Sequence, residues 1–431
     1  MNNIKVDIGK EILVHSPPVN ENTKKWGVYA IPRLWRELNG ELVVRFNGEM
    51  DCGDTDNMQK APNLYFVSID EGESWHFLED GDSKYDISVL NGLDAPYLRL
   101  KDRIIAFRER AGVKPISGVT AQKSFVTPCL EALVHSYKYG DIADESKGAQ
   151  MLIYKKDSNE CEIIDVDIDF PEREILINVK GNDGDKFVDV VQKMRQSIFK
   201  NPYFSTPISL SDGTLVAVSC GQHPDVCDHY NGVAYLLESS DNGKNWKKRS
   251  VIAADSSLKY GYSGDGHEVS LAVSESGRIF CGMRMEMSIN PNTEQPICDM
   301  MVTYSDDNGY TWKKPFSVSD SSVTPHIICL KNNIVVAVYG RPGVHFKVSC
   351  DNGETWSDSY SIIGKTLEEC RAENINDADS KYFKTSSYSN TFVEKLSADS
   401  FLILYNNMQY DEGDGVFHKA AFVRKVTITF L

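Results

Sequence analysis

The sequence predicts an all-β fold: a six-bladed β-propeller of four-stranded antiparallel blades, with a helical insertion between blades two and three. Two observations carry this reading. The skeleton Ser-x-Asp-x-Gly-x-x-Trp recurs four times, starting at residues 68, 239, 305 and 349. A longer pattern, a β-alternating run, a polar turn and a more apolar run, recurs six times, and periodicity of this kind is the signature of a repeat architecture.

The six hairpin segments run over residues 31–46, 95–110, 206–220, 267–284, 324–341 and 388–407. Each joins two runs rich in Val, Ile, Leu and Phe through turn residues such as Asn39-Gly40 or Asp212-Gly213, which supply the backbone conformations a hairpin connection needs. In four of the six the Ser-Asp-Gly-Trp turn follows downstream, so a hairpin plus a second pair of strands closed by that turn describes one blade. The runs KVDIGKEILVH near the start and FVRKVTITFL near the end are placed to share one sheet and close the ring.

The interval between the second and third hairpins is too long for this repeat, so residues from roughly 111 to 200 read as an insertion within a single domain spanning 1–431. Within it, Asp185 to Phe199 places Val188, Val191, Met194 and Ile198 on one helical face, which predicts an amphipathic packing helix.

With 431 residues, 41% hydrophobic and 25% charged, the chain can bury a large core. There is no apolar run of membrane-spanning length, and the opening residues lack the basic flank and apolar centre of a signal peptide. Ten cysteines without a C-x-x-C pair or finger spacing read as reduced thiols, so the expectation is a cytoplasmic protein, or a secreted one if a leader has been removed. The net charge of −16 disfavours nucleic acid as a partner, and any anionic ligand must meet a local basic pocket.

In the eight-residue turn, Asp can accept hydrogen bonds from local amides, Gly supplies a conformation closed to other residues, and Trp folds its ring into the blade. Four of the six tryptophans serve this turn, which argues for a structural role. The set resembles the Asp-box (BNR) repeats of the sialidase, or neuraminidase, superfamily. That resemblance implies that the turns lie on the face away from the active site, so chemistry belongs where each blade's first strand starts and its second ends. First-strand starts are Ala30, Asp94, Glu268, Thr324 and Tyr388; second-strand ends are Arg45, Arg108, Arg110, Gly221, Arg284, Arg341 and Asn406. Several arginines in an acidic chain suit a carboxylated sugar.

The resemblance implies roles for some of these. Tyr388 corresponds to the nucleophile of the superfamily and Glu268 to its base. A phenol spares the substrate carboxylate the repulsion a carboxylate nucleophile would bring. The acid falls in the loop NGEMDCGDTDN, at Asp56 or Asp54, and Arg284 with Arg341 and Arg45 forms the carboxylate clamp. Arg108, Arg110, Asp94, His267 and His223 complete the expected rim. The sequence departs from the superfamily at its first blade: Tyr29-Ala30-Ile31-Pro32 stands where an Arg is expected, and alternation turns Arg33 away from the direction of residue 30.

The expected activity is exo-acting hydrolysis of a terminal acidic sugar from a glycan, with no cofactor. The alternatives are a uronate-active enzyme, including a lyase in which Tyr388 and His267 or His223 abstract a proton, and a glycan-binding propeller without turnover. His223, Asp225, Cys227 and His229 lack a metal-site spacing and read as a polar rim, so no metal is expected.

Overall fold

The computed structural model describes residues 4–16, 30–47, 63–79, 97–109, 114–126, 133–155, 161–171, 174–183, 186–188, 207–221, 233–254, 268–284, 288–289, 296–297, 299–321, 323–340, 342–373, 391–411 and 417–431. Their regular secondary structure is almost entirely strand, arranged in antiparallel sets of four that follow one another along the chain. The first set is Ala30–Arg36, Leu42–Asn47, Asn63–Ser68 and His76–Phe77. The second is Tyr97–Arg99, Arg103–Glu109, Ala149–Lys155 and Cys161–Asp169. The third is Ile208–Ser209, Leu215–Gly221, Val233–Ser239 and Asn245–Ala254.

The fourth is Val269–Val273, Ile279–Arg284, Met300–Ser305 and Phe316–Ser319. The fifth is Val323–Cys329, Val335–Gly340, Val344–Ser349 and Tyr360–Ile363. The sixth joins Phe392–Lys395, Ser400–Asp411 and Phe417–Phe430 to the N-terminal Ile4–Ile8, with Ile12–His15 on the same long strand. The second and third sets merge through a parallel pairing of Asp167–Asp169 with Asn245–Lys247.

The inner strands are predominantly apolar because both of their faces are covered. Leu42, Val44 and Phe46 pack against residues of the sixth set, whereas Val43, between them, packs against the second. Val336 and Val338 face the sixth set while Val335 and Ala337 face the fourth. The period-two alternation of a strand therefore assigns neighbouring residues to different neighbouring sheets. Each core cluster is shared by two sheets consecutive in the chain, and one of them joins the last sheet to the first.

The four repeated turns connect the third and fourth strands of their sheets and are built alike. In the third of them, Ser305 Oγ donates to Asp307 Oδ1 at 2.7 Å and accepts from Gly309 N at 2.8 Å, while Thr311 donates its amide to Oδ1 at 2.8 Å and its hydroxyl to Oδ2 at 2.7 Å. The Ser68, Ser239 and Ser349 turns repeat the serine-to-aspartate bond at 2.8 Å. The two residues after each aspartate hold positive φ, for instance Asn308 at 59° and Gly309 at 87°. A Cβ on Gly309 would stand 2.4 Å from Leu236, one on Gly353 2.4 Å from Phe280, and one on Gly72 3.0 Å from Leu402. In each case the side chain belongs to the preceding sheet, and for Gly72 that is the last sheet of the chain. Arg278 ties two turns together, donating from Nε to Asp306 at 2.7 Å and from Nη1 to Glu354 at 2.6 Å.

The described part of the insertion is mainly β-structure, with single 3-10 turns at Tyr139–Asp141 and Asp144–Ser146. Lys186–Val188, Glu174–Asp183, Leu133–Lys138 and Lys123–Val126 form a further sheet in that order, while Ala149–Lys155 and Cys161–Asp169 complete the second set. The helix expected over 185–199 meets a strand at its start, where Lys186–Val188 pairs with Gly181–Asp183; residues 189–199 lie outside the described residues. Among the described residues no helix is long and apolar enough to cross a membrane, and no group of three or more His, Cys, Asp or Glu is placed to hold a metal ion.

Candidate active site

Glu268 and Arg284 occupy the two ends of one hairpin. Glu268 immediately precedes the strand Val269–Val273 and Arg284 ends the strand Ile279–Arg284, so the ladder itself brings them opposite each other, with Arg284 N donating to Glu268 O at 3.0 Å. Their side chains meet as well: Arg284 Nη1 donates to Glu268 Oε1 at 2.7 Å, with side-chain exposures of 24% and 15%. The second carboxylate oxygen, Oε2, accepts from the amide of Thr324 at 2.7 Å, across from the fifth sheet. A cationic donor and a backbone donor thus address the two oxygens separately, a geometry that fixes the plane of the carboxyl group. This end of the fourth sheet lies opposite its repeated turn, since Arg284 pairs with Met300 and Ile279 with Ser305.

Thr324 holds φ at 49°, a conformation that costs a β-branched residue about 1–3 kcal/mol and persists only where surrounding contacts impose it. The contacts come from Thr391, just ahead of the first strand of the sixth sheet. Thr391 N donates to Thr324 Oγ1 at 2.9 Å, Thr391 Oγ1 donates to Thr324 O at 3.0 Å, and the two hydroxyl oxygens are 2.8 Å apart. Thr391 O in turn accepts from His326 Nε2 at 2.9 Å, which fixes the Nε2–H tautomer because a carbonyl cannot donate. Burial, reinforced by the charge of Arg33, pushes the His326 imidazolium down to about 4 despite that hydrogen bond.

Arg33 and Arg45 are both enclosed, at 3% and 6% exposure, and stand directly opposite each other in the first sheet. The register of that hairpin shifts between Ala30 and Arg33, so strand alternation does not run through from residue 30. Arg33 is buried, and its charge acts on His326 of the fifth sheet and Tyr97 of the second. Arg45 lies near the end of the strand Leu42–Asn47, two residues before its last residue.

A second polar group sits between the first, second and sixth sheets. Tyr97 Oη lies 3.3 Å from Leu34 O and 3.4 Å from Glu394 Oε2. Desolvation raises the Glu394 carboxyl to about 7, against the opposing influence of Arg36, the Tyr97 hydroxyl and Arg99.

Of the residues singled out from sequence, Glu268 and Arg284 are brought into contact, and Thr324 joins them. Arg108 lies in the strand Arg103–Glu109, opposite Gln150. Tyr388, Asp54, Asp56, Asp94, Arg110, Arg341, His223 and His267 lie outside the described residues. Thr391, His326 and Glu394 escaped sequence reasoning. Their partners are remote in the chain; the available signal for His326 and Thr391 was their position two and three residues beyond the predicted strand openings at Thr324 and Tyr388.

Residues 189–407 match the BNR repeat-like domain model. No curated protein matches the chain. Among solved structures, a protein of unknown function from Dyadobacter fermentans DSM 18053 superposes with a TM-score of 0.56 at 14% identity, over 98% of this chain and 99% of that one, and shows the same fold. The Hadza microbial sialidase Hz136 gives a TM-score of 0.49 at 15% identity, covering 94% of this chain and 66% of that one. An α-L-arabinanase from Penicillium chrysogenum gives 0.44 at 12% identity, over 97% and 98% of the two chains. With the matched model spanning half of its length, the chain belongs to the BNR repeat-like domain family.

Proposed function

We propose that the chain is a single-domain, six-bladed propeller acting as an exo-glycoside hydrolase on a terminal acidic sugar. The observation that carries this reading is the joining of Glu268 and Arg284 at the strand openings, with both carboxylate oxygens held by separate donors. Family membership and the four repeated turns support the propeller; the arginine beside Glu268 supports an anionic substrate.

In the proposed reaction Tyr388 Oη attacks the anomeric carbon as its proton passes to the Glu268 carboxylate, and the glycosidic bond breaks with its electron pair leaving on the aglycone oxygen. Asp56 or Asp54 protonates that oxygen. Water then attacks the glycosyl-tyrosine, giving its proton to the Asp carboxylate, while Glu268 returns its proton to the departing phenolate. Arg284, with Arg341 and Arg45, would hold the sugar carboxylate.

The test is release of 4-methylumbelliferone from its sialoside by the wild type and by Glu268→Gln and Tyr388→Phe. The expected result is turnover that falls by about 10²–10⁴ in Glu268→Gln, the range for loss of a general base. An ultraviolet-absorbing unsaturated product from uronate polymers would replace this reading with a lyase, and glycan binding without any product would replace it with a binding module.

A further inference from the structure

Counting protons resolves the contact between Thr324 and Thr391. Each hydroxyl has one proton to give. Thr391 Oγ1 gives its own to Thr324 O at 3.0 Å, so in the 2.8 Å contact between the two hydroxyls Thr324 Oγ1 is the donor and Thr391 Oγ1 the acceptor. Thr391 N completes the set at 2.9 Å on Thr324 Oγ1. Every polar group of the pair is thereby used, both residues are 0% exposed, and the exchange spans two sheets. Such a reciprocal set is rigid, and it holds Thr324 at φ 49°. The amide of Thr324 is directed outside the set and meets Glu268 Oε2 at 2.7 Å.

We propose that Thr324 and Thr391 are positioning residues: a clamp between the fifth and sixth sheets that aims one backbone amide at Glu268 and so fixes its carboxylate on the fourth. This rests on the reading of Glu268 as the base. The clamp reaches the chain carrying the nucleophile of that reading as well, because Thr391 is three residues from Tyr388 in sequence. Orientation of a base is expressed in turnover more than in substrate affinity.

The experiment compares crystal structures and kinetics of the full chain carrying Thr391→Val, Thr391→Ser and Glu268→Gln, with the methylumbelliferyl sialoside as probe. Val keeps the shape but removes the hydroxyl; Ser restores it. In Thr391→Val, residue 324 is expected to leave positive φ and Glu268 Oε2 to part from its amide, while kcat falls about ten-fold or more with KM within about two-fold; Thr391→Ser restores both. If Thr391→Val does not fold, Thr324→Gly and Thr324→Ser take its place: Gly accepts positive φ but lacks the hydroxyl, so the contact of the 324 amide with Glu268 Oε2 and the kcat are read, and both are expected to be lost in Gly and kept in Ser. Glu268 unmoved in the clamp variant, or kcat unchanged there while Glu268→Gln is inactive, overturns the clamp. Turnover by Glu268→Gln at the wild-type rate, or none by the wild type, sinks the reading of Glu268 as base instead, and the crystallographic positions still decide for or against the clamp.

Discussion

A Cβ on Gly353 would stand 2.4 Å from Phe280 Cε1, so the repeated turn of the fifth sheet is pressed against the core of the fourth. Gly353 also holds φ at 87°. Gly353→Ala should therefore lower stability by about 2–4 kcal/mol, through backbone strain and overpacking together. Gly213→Ala makes the control, because its φ is 84° but no atom lies within 4 Å of the added carbon; it should cost only about 1 kcal/mol. Denaturant unfolding of the two variants measures the difference, and equal losses would refute the wedge.

The aspartates of the turns respond to acid. The Thr311 hydroxyl, then the Thr311 amide and the Ser305 hydroxyl, hold the Asp307 carboxyl down at about 2. A depressed carboxyl contributes stability above its unfolded pKa, near 4, which is lost as pH falls through about 2. Asp307→Asn should lower stability above about pH 5 by a constant amount and flatten the acid limb below about pH 4, as followed by fluorescence of the turn tryptophans. An acid limb as steep as that of the wild type would contradict the assignment.

Glu394 and His326 should tilt the stability of the protein in opposite directions. The Glu394 carboxyl is raised to about 7, so its contribution is full below its unfolded value near 4.5 and is lost as pH rises through 7. His326 is lowered to about 4, so its contribution is full above 6.5 and is lost as pH falls through 4. Between about pH 4.5 and 6.5 the two slopes, each at most about 1.4 kcal/mol per pH unit, oppose each other. Relative to the wild type, Glu394→Gln should make stability rise with pH in this window and His326→Gln should make it fall. Parallel curves for the three proteins would exclude titration of these groups.

Arg284→Lys keeps a positive charge but not the planar fork that reaches Glu268 Oε1 at 2.7 Å. A loss of about 1.5–3 kcal/mol, or roughly ten- to hundred-fold in kcat/KM, is expected in the sialoside assay. Unchanged kcat/KM would show that the pair is structural.

The parts of the molecule legible in the sequence are those set by short spacings. The turn from Ser305 to Trp312 carries its own hydrogen-bonding instructions, and the hairpin around Gly277 brings Glu268 to Arg284 over a separation of 16 residues. What the sequence hid depends on contacts between sheets. The bond of His326 to Thr391 joins residues 65 apart in the chain, and no local pattern pairs them. The irregular rung between Ala30 and Arg33 is likewise invisible in the sequence, and strand alternation does not run through it. The start of the 185–199 segment has an apolar spacing that suits a helix, yet Lys186–Val188 lies beside the edge of Glu174–Asp183 and extends that sheet.

The ladder between Ile4–Ile8 and Phe417–Phe430 has a mechanical consequence. Ile4 faces Phe430 and Ile8 faces Val426, so the two chain ends enter the ladder at the same end. Tension applied between them would load its hydrogen bonds one rung at a time, like a zipper, instead of shearing all rungs together. Under a pulling force the N-terminal strand should peel away early and at low load, uncovering the outer edge of the sixth sheet.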